Sequence, residues 1–379
     1  MTAIDLRGRR PQLSNPGSLS VRALVLVALG LVLSGCVQLG PQLMQAGRND
    51  YNQVLAQTDD EEMLLNLVRI RYADSPVFMD VTSLTTSFNW KQGLEAQAFR
   101  FQRDSGQSNV GVRGSLDYSE SPTITYTPLG GADFVRSVLT PIRLEALLLL
   151  ARSGWSVERL LRVMAGRMNG LSNAFPASGP TPRTAPPFEE FRRAAEALRA
   201  LQNQGLVTSG YQGDGDERLL ALRIEPEAAG SPALADLSSL TGLSPVAGIV
   251  ALDHSGKRRR PDALRLELRS LAGVMFFLSH AVDLPQRDID AGRVTVTRTE
   301  GGEPFDWRLV VGDLLQIKSQ DRAPANATIA VKYRDTWFYI DDSDIESKYT
   351  FILLQQLQAL QAGNIERTGP VLTVPVGPR

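Results

Sequence analysis

Apolar positions switch between helical and strand spacing along this chain, and the switches mark its elements. Met63, Leu64, Leu67, Val68 and Tyr72 recur at helical intervals, with Thr58 and Glu61 in capping-box spacing ahead of them. A helix is therefore predicted over 59–72, stopped by Pro76. Residues 77–90 alternate as a long strand, whereas 92–126 are polar and Gly/Ser-rich and read as exposed hairpins or a mobile loop, with a strand at 123–126. Helical spacing returns over 131–139, 141–152 and 156–168, the last opened by Ser156 with Arg159, and again over 188–204 after a Pro/Ser/Thr-rich loop at 172–187. A β-hairpin is expected from 206–211 and 218–224 around the Gly/Asp turn between them.

The C-terminal third alternates again. Strands are expected at 248–253 and 263–267, joined by a basic turn, and a helix from its cap Ser270 through Ala281. Further strands are expected near 293–298, 307–311, 314–318 and 328–333, then a tight turn at Arg334-Asp335, a strand at 337–340 and a helix over 344–362. The fold class is α+β: a helical middle region followed by a mixed, mostly antiparallel sheet with packed helices. The expected organisation has an N-terminal helix and strands at 48–140 and a helical region at 141–225. An Ala/Ser/Pro/Gly-rich connector at 226–246 leads to a C-terminal α+β region at 247–379.

The extreme N-terminus follows a different rule. Residues 23–33 form an apolar run preceded by Arg7, Arg9, Arg10 and Arg22. A spanning helix needs about 20 residues, so the run fits the core of an export signal. It ends in Leu33-Ser34-Gly35-Cys36, and here the chain resembles the bacterial lipoproteins, whose lipobox is a Leu, two small residues and a Cys. The resemblance implies diacylglyceryl transfer to Cys36, cleavage between Gly35 and Cys36, removal of 1–35 as a signal peptide, and acylation, palmitate included, of the new terminus. Val at position 37, where an Asp would retain a Gram-negative lipoprotein, implies transfer to the outer membrane, facing the periplasm. Residues 36–47, with Gly40 and Pro41, then read as a lipidated tether. The stretch ahead of the apolar run has no helical pattern, so translation is expected to begin near Val21, Met1 being the other start.

Composition sharpens this picture by exclusion. The 379 residues are 43% hydrophobic, with a formal charge of −1, one cysteine and two histidines, His254 and His280. A lone cysteine excludes an intramolecular disulfide and any cysteine-rich zinc cluster, and it falls where lipidation requires it. Removing 1–35 moves the charge to about −4. Three helices and a hairpin over 141–225 resemble a winged helix, which would suggest DNA. Yet Arg192, Arg193 and Arg199 are balanced by Glu189, Glu190 and Glu196, so no nucleic-acid partner is expected.

Candidate chemistry is sparse. In the acidic stretch 341–346, Asp342, Asp344 and Glu346 could serve Ca²⁺, but an EF-hand glycine and distant Glu are missing; Ser343 to Glu346 reads instead as a capping box. The acidic run 59–62 reads the same way at its helix start. Asp253-His254-Ser255 holds triad residue types, but neighbours in a strand face opposite ways. His280 reads as a hydrogen-bonded core or boundary residue. Lys257, Arg258, Arg259 and Arg260 form a compact basic loop that would meet anionic headgroups, lipopolysaccharide phosphate or an acidic partner, or else stay solvated. Trp337 and Tyr339 could stack on sugars, with Phe338 and Ile340 facing the other way. No catalytic residue, metal site or cofactor is assigned. The expectation is an envelope protein held to the membrane through Cys36, with a binding, scaffolding or assembly role beside an envelope protein partner. The alternatives are a hydrolase working through dispersed Asp/Glu or Ser residues and a lipid or small-ligand carrier.

Overall fold

Thr58 does not begin a helix. In the computed structural model, which describes residues 39–99, 109–212, 219–244, 248–253 and 263–362, it lies inside a 33-residue helix, α1 (Leu39–Arg71). Its hydroxyl donates to Val54 O at 2.8 Å, so the predicted cap is an interior residue bonded back along its own helix. Residues 39–47, expected as tether, are helical, and the acidic run 59–62 lies mid-helix. Arg69 and Arg71 occupy the last turn, where cations suit the negative end of the helix dipole. The described residues from Glu61 onward form one compact unit.

The strand expected at 77–90 and the stretch expected as exposed hairpins or a mobile loop together form one two-stranded ribbon. Strand β1 (Met79–Phe99) pairs antiparallel with β2 (Asn109–Pro128) from Met79↔Pro128 to Phe99↔Asn109, interrupted by one register shift between Val81 and Ser83. The shift lies inside the stretch 77–90 expected as one strand. Apolar residues are odd-numbered at Met79 and Val81 and even-numbered from Leu84 onward, and the bulge absorbs the change of phase.

Three helices follow: α2 (Ala132–Leu139), α3 (Leu144–Arg152) and α4 (Val157–Met164). Ser156 Oγ accepts from Arg159 N at 3.4 Å and caps α4. That helix was expected to reach 168 but stops at Met164, where the chain becomes β3 (Ala165–Met168) and turns through Asn169-Gly170 into β4 (Leu171–Ser172). Helix α5 (Glu189–Asn203) buries Phe191, Leu198 and Leu201, and the hairpin β5 (Val207–Gln212) and β6 (Leu219–Ile224) follows as expected. Residues 226–246 are more than a connector. Ser231 Oγ accepts from Leu234 N, Pro232 fills the first helical position, and Gly242 closes α6 (Pro232–Thr241) at φ 69°.

Next, β7 (Gly248–Asp253) and β8 (Leu264–Leu268) lie side by side in parallel, so these two strands are not the hairpin that a connecting turn would make. Together the strands form a six-stranded mixed sheet in the order β4-β3-β8-β7-β6-β5. The hairpin expected as a wing is one edge of this sheet, which does not establish a winged helix. Helix α7 (Leu271–Ser279) starts on the predicted cap, Ser270 Oγ accepting from Gly273 N at 3.1 Å.

Two short helices, α8 (Gln286–Asp290) and α9 (Arg308–Val311), come next; α9 stands where a strand was expected at 307–311. Residues 293–298 form no strand, only isolated bridges from Arg298 to Thr184 and Pro304. The expected strand at 314–318 is displaced to β9 (Lys318–Gln320), which flanks β11 (Thr336–Asp341), and β11 pairs with β10 (Ala327–Tyr333). Arg334 and Asp335 both take positive φ, the geometry of a two-residue hairpin turn. Helix α10 (Ile345–Ala362) ends the described chain. Its cap is one residue later than predicted: Asp344 Oδ1 accepts from Ser347 N at 3.1 Å, while Ser343 bonds Asp341. One apolar core joins α1, α4, α5 and α7 to Phe338 of β11. The fold is α+β.

Candidate functional site

Asn66, fully buried in α1, holds the foot of the ribbon. Its Nδ2 donates to Val77 O at 2.6 Å and its Oδ1 accepts from Val77 N at 2.9 Å, replacing the ladder partner that Val77 lacks. Glu62 accepts from Met79 N at 3.0 Å, Leu129 N donates to Phe78 O at 2.8 Å, and Phe78 meets Phe134 of α2 edge to face at 5.4 Å. Both legs of the ribbon therefore leave the body from fixed positions.

Beyond its foot the ribbon divides by face. Register partners share a face, and faces alternate along each strand. One face carries Leu84↔Ile124, Trp90↔Tyr118, Ala96↔Val112 and Ala98↔Val110. The other carries Thr85↔Thr123, Ser87↔Ser121, Asn89↔Ser119, Lys91↔Asp117 and Glu95↔Arg113. The apolar face is interrupted by Glu120 opposite Phe88, Gln92 opposite Leu116, and Thr86 opposite Pro122. At about 3.4 Å per residue the ribbon is on the order of 65 Å long. Among the described residues its outer edges pair with no other strand.

Apolar surface surrounds the foot. Val77, Met79, Val135 and Leu139 are exposed, Leu139 by 60%. An open groove of about 210 Å³ runs between α3 and α10, lined by Ile142, Arg143, Leu149, Leu357 and Leu360, with Leu149 58% exposed. Farther along α10, Ile345, Tyr349 and Ile352 make an exposed stripe at helical spacing.

The buried polar groups hold the fold. Arg269 donates to the carbonyls of Arg162, Val163, Ala165 and Asn173 and to Ser178 Oγ, its guanidinium 3.9 Å from the Phe277 ring centre. Burial lowers its pKa to about 9, which leaves it charged at neutral pH. Tyr72 donates to Asp288 at 2.6 Å, and Arg293 donates to the other carboxylate oxygen at 2.6 Å. Burial pushes Asp288 upward, but these donors outweigh it and hold the carboxyl below its usual range. Burial, with Asp288 beside it, pushes the Tyr72 phenol up. Neither is therefore poised for proton transfer near neutrality.

His280 lies in the core, as expected, stacked on Trp307 at 3.7 Å and 9°, but not hydrogen-bonded: both ring nitrogens lack a partner among the described residues. Burial, helped by the Arg71 charge, drives its pKa well below the ordinary value. Strand β11 alternates as predicted, with Phe338 and Ile340 fully buried and Trp337 and Tyr339 half-buried. Asp342 is paired with Lys348 at 2.7 Å, and no three His, Cys, Asp or Glu residues gather to hold a metal among the described residues. Asp253 ends β7. Its neighbours His254 and Ser255, the basic Lys257 to Arg260, and the lipobox with Gly35 and Cys36 lie outside the described residues. Asn66 carried no sequence signal: its role depends on an edge brought to it from eleven residues along the chain. Of the second strand of the ribbon only 123–126 was expected as a strand, because Gly and Ser dilute the alternation of the rest.

No protein-family model, curated protein or solved structure matches this chain.

Proposed function

We propose that the protein is a lipid-anchored component of the bacterial envelope, held through Cys36 to the outer membrane and serving a binding, scaffolding or assembly role there. The observation that carries the reading is the ribbon: a foot clamped by Asn66 and Glu62, and two strands that, among the described residues, pair with no other strand. Strand addition at such an edge supplies main-chain hydrogen bonds to a partner. The exposed apolar residues at the foot and along α10 add surface of the kind that marks protein or membrane contact. The groove between α3 and α10 is open and smaller than the roughly 300 Å³ at which ligand pockets begin, which favours a docking surface over a carrier's cavity.

Membrane fractionation and crosslinking of the wild-type chain beside Cys36→Ala test this. The wild type should sediment with outer membranes and crosslink reproducibly to envelope protein, and Cys36→Ala should become soluble. A wild-type chain recovered unacylated and soluble would overturn the anchor, and the absence of a reproducible protein crosslink would overturn the assembly role.

A further inference from the structure

The open groove between α3 and α10 lies where the described chain stops. Leu357, Leu360 and Gln361 line it from the last turns of α10, which ends at Ala362, and Ile142 and Leu149 line it from α3. Gln361 Nε2 donates to Thr140 O at 3.3 Å, so the end of α2, with exposed Leu139, stands at the same place. Leu149 and Leu360 keep 58% and 40% of their surface in water, an exposure that a covering apolar segment would remove.

The sequence carries such a segment a few residues further on. Residues 363–379 lie outside the described residues. From Thr368 to Pro378 they hold no charge and include Val371, Leu372, Val374 and Val376. Pro370, Pro375 and Pro378 oppose a helix there and remove three backbone donors that an apolar groove would leave unsatisfied. Gly363 follows the last helical residue, the position at which a left-handed glycine turns a chain off its helix.

Reach is ample. Leu357 is about 8 Å back from Ala362 along the helix axis, and residues 363–369 span up to about 23 Å. So short a link gives the segment a roughly millimolar local concentration, whatever the concentration of any other occupant.

We infer that residues 370–378 dock in the groove between α3 and α10 of their own chain. An uncharged segment suits a groove whose rim charges, Arg143 and Glu145, are of opposite sign. Docking covers the apolar surface at this end of α10, and a partner that uses the groove has first to displace the segment. The inference is independent of the Cys36 anchor and of the identity of any partner.

Disulfide trapping in the full-length chain tests it, with Cys36→Ser removing the one native thiol. Thr373→Cys is combined either with Glu145→Cys at the groove rim or with Tyr349→Cys at an exposed site on α10. Tyr349 is about 17 Å from Leu360 along the helix, and residue 373 reaches up to about 36 Å from the end of α10, so an undocked segment meets both sites. Under mild oxidation the 145–373 pair should close within one chain several-fold faster than the 349–373 pair. Equal rates, or a disulfide joining two chains, overturns the inference. Leu372→Ser with Val374→Ser should lower the 145–373 rate to that of the 349–373 pair, and an unchanged rate counts equally against it. A readout without added cysteines is the binding of anilinonaphthalene sulfonate: Leu372→Asp with Val374→Asp should uncover the groove and raise it several-fold, and unchanged dye binding refutes the docking.

Discussion

Arg269 shows how one side chain can end a helix. Its guanidinium takes the carbonyls that α4 leaves open at its C-terminal end, and Asn173 Nδ2 donates to two of them, those of Arg162 and Ala165, at 2.7 Å each. The positive charge sits at the negative end of the helix dipole. Arg269→Met keeps the stem but strips five donor contacts, and unsatisfied buried acceptors cost about 1–3 kcal/mol each before relaxation. The expected loss is roughly 3–5 kcal/mol in urea unfolding, with Arg269→Lys recovering only part because an ammonium has three donors.

His280 gives the protein a pH dependence whose sign is fixed. Its folded-state pKa is depressed by burial, while the unfolded chain titrates near the ordinary value of 6.5. Above that value both states are neutral and the residue contributes nothing. Below it the unfolded chain takes up a proton that the folded core rejects, so stability falls by about 1.4 kcal/mol per pH unit. His280→Phe retains the stack on Trp307 and should flatten that limb. Stability of both chains from pH 7 to pH 5 measures it, and parallel slopes would refute it.

At the scale of elements, caps and turns are the most exposed to test. Asp344 rather than Ser343 caps α10, so Asp344→Ala should cost about 0.5–2 kcal/mol of thermal stability and Ser343→Ala clearly less. Asp335 holds φ 64° in the β10–β11 turn at 93% side-chain exposure, with only a surface contact to Lys332. Asp335→Gly should therefore stabilise by about 0.5–1 kcal/mol, left-handed geometry being costly for a residue with a Cβ. Arg334 shares the geometry but bonds Asp74 and lies over Tyr72, so it is a poor position for the same change. Local chemistry made two of the helices readable, Ser156 and Ser270 capping where their spacing says, whereas α6, bracketed by Ser231-Pro232 and Gly242, was not expected inside a stretch whose composition suggested a connector.

Across the whole molecule the sheet decides how the chain divides. Strand β3 pairs with β8 and β6 with β7, so partners lie on both sides of residues 226–246. A fragment ending at residue 225 keeps its helices but loses the strands that satisfy β3 and β6. It should show helical circular dichroism without a cooperative unfolding transition, whereas the compact unit from Glu61 should unfold cooperatively. By itself the sequence determined the α+β class, the capped helices α4, α7 and α10 to within a residue or a turn, the alternation of β11 and the placing of Cys36 behind an export-like apolar run. Each of these depends on residues near one another in the chain. Tertiary structure alone decided the end of α4, the parallel pairing of β7 with β8, the unpartnered burial of His280 and the Asn66 clamp. It also decided the length and register of the ribbon, of which the sequence suggested a strand at 77–90 and another at 123–126. The reason is that each depends on a partner outside its own element, from eleven residues along the chain for Asn66 to more than a hundred for the end of α4, and no local propensity encodes where that partner lies.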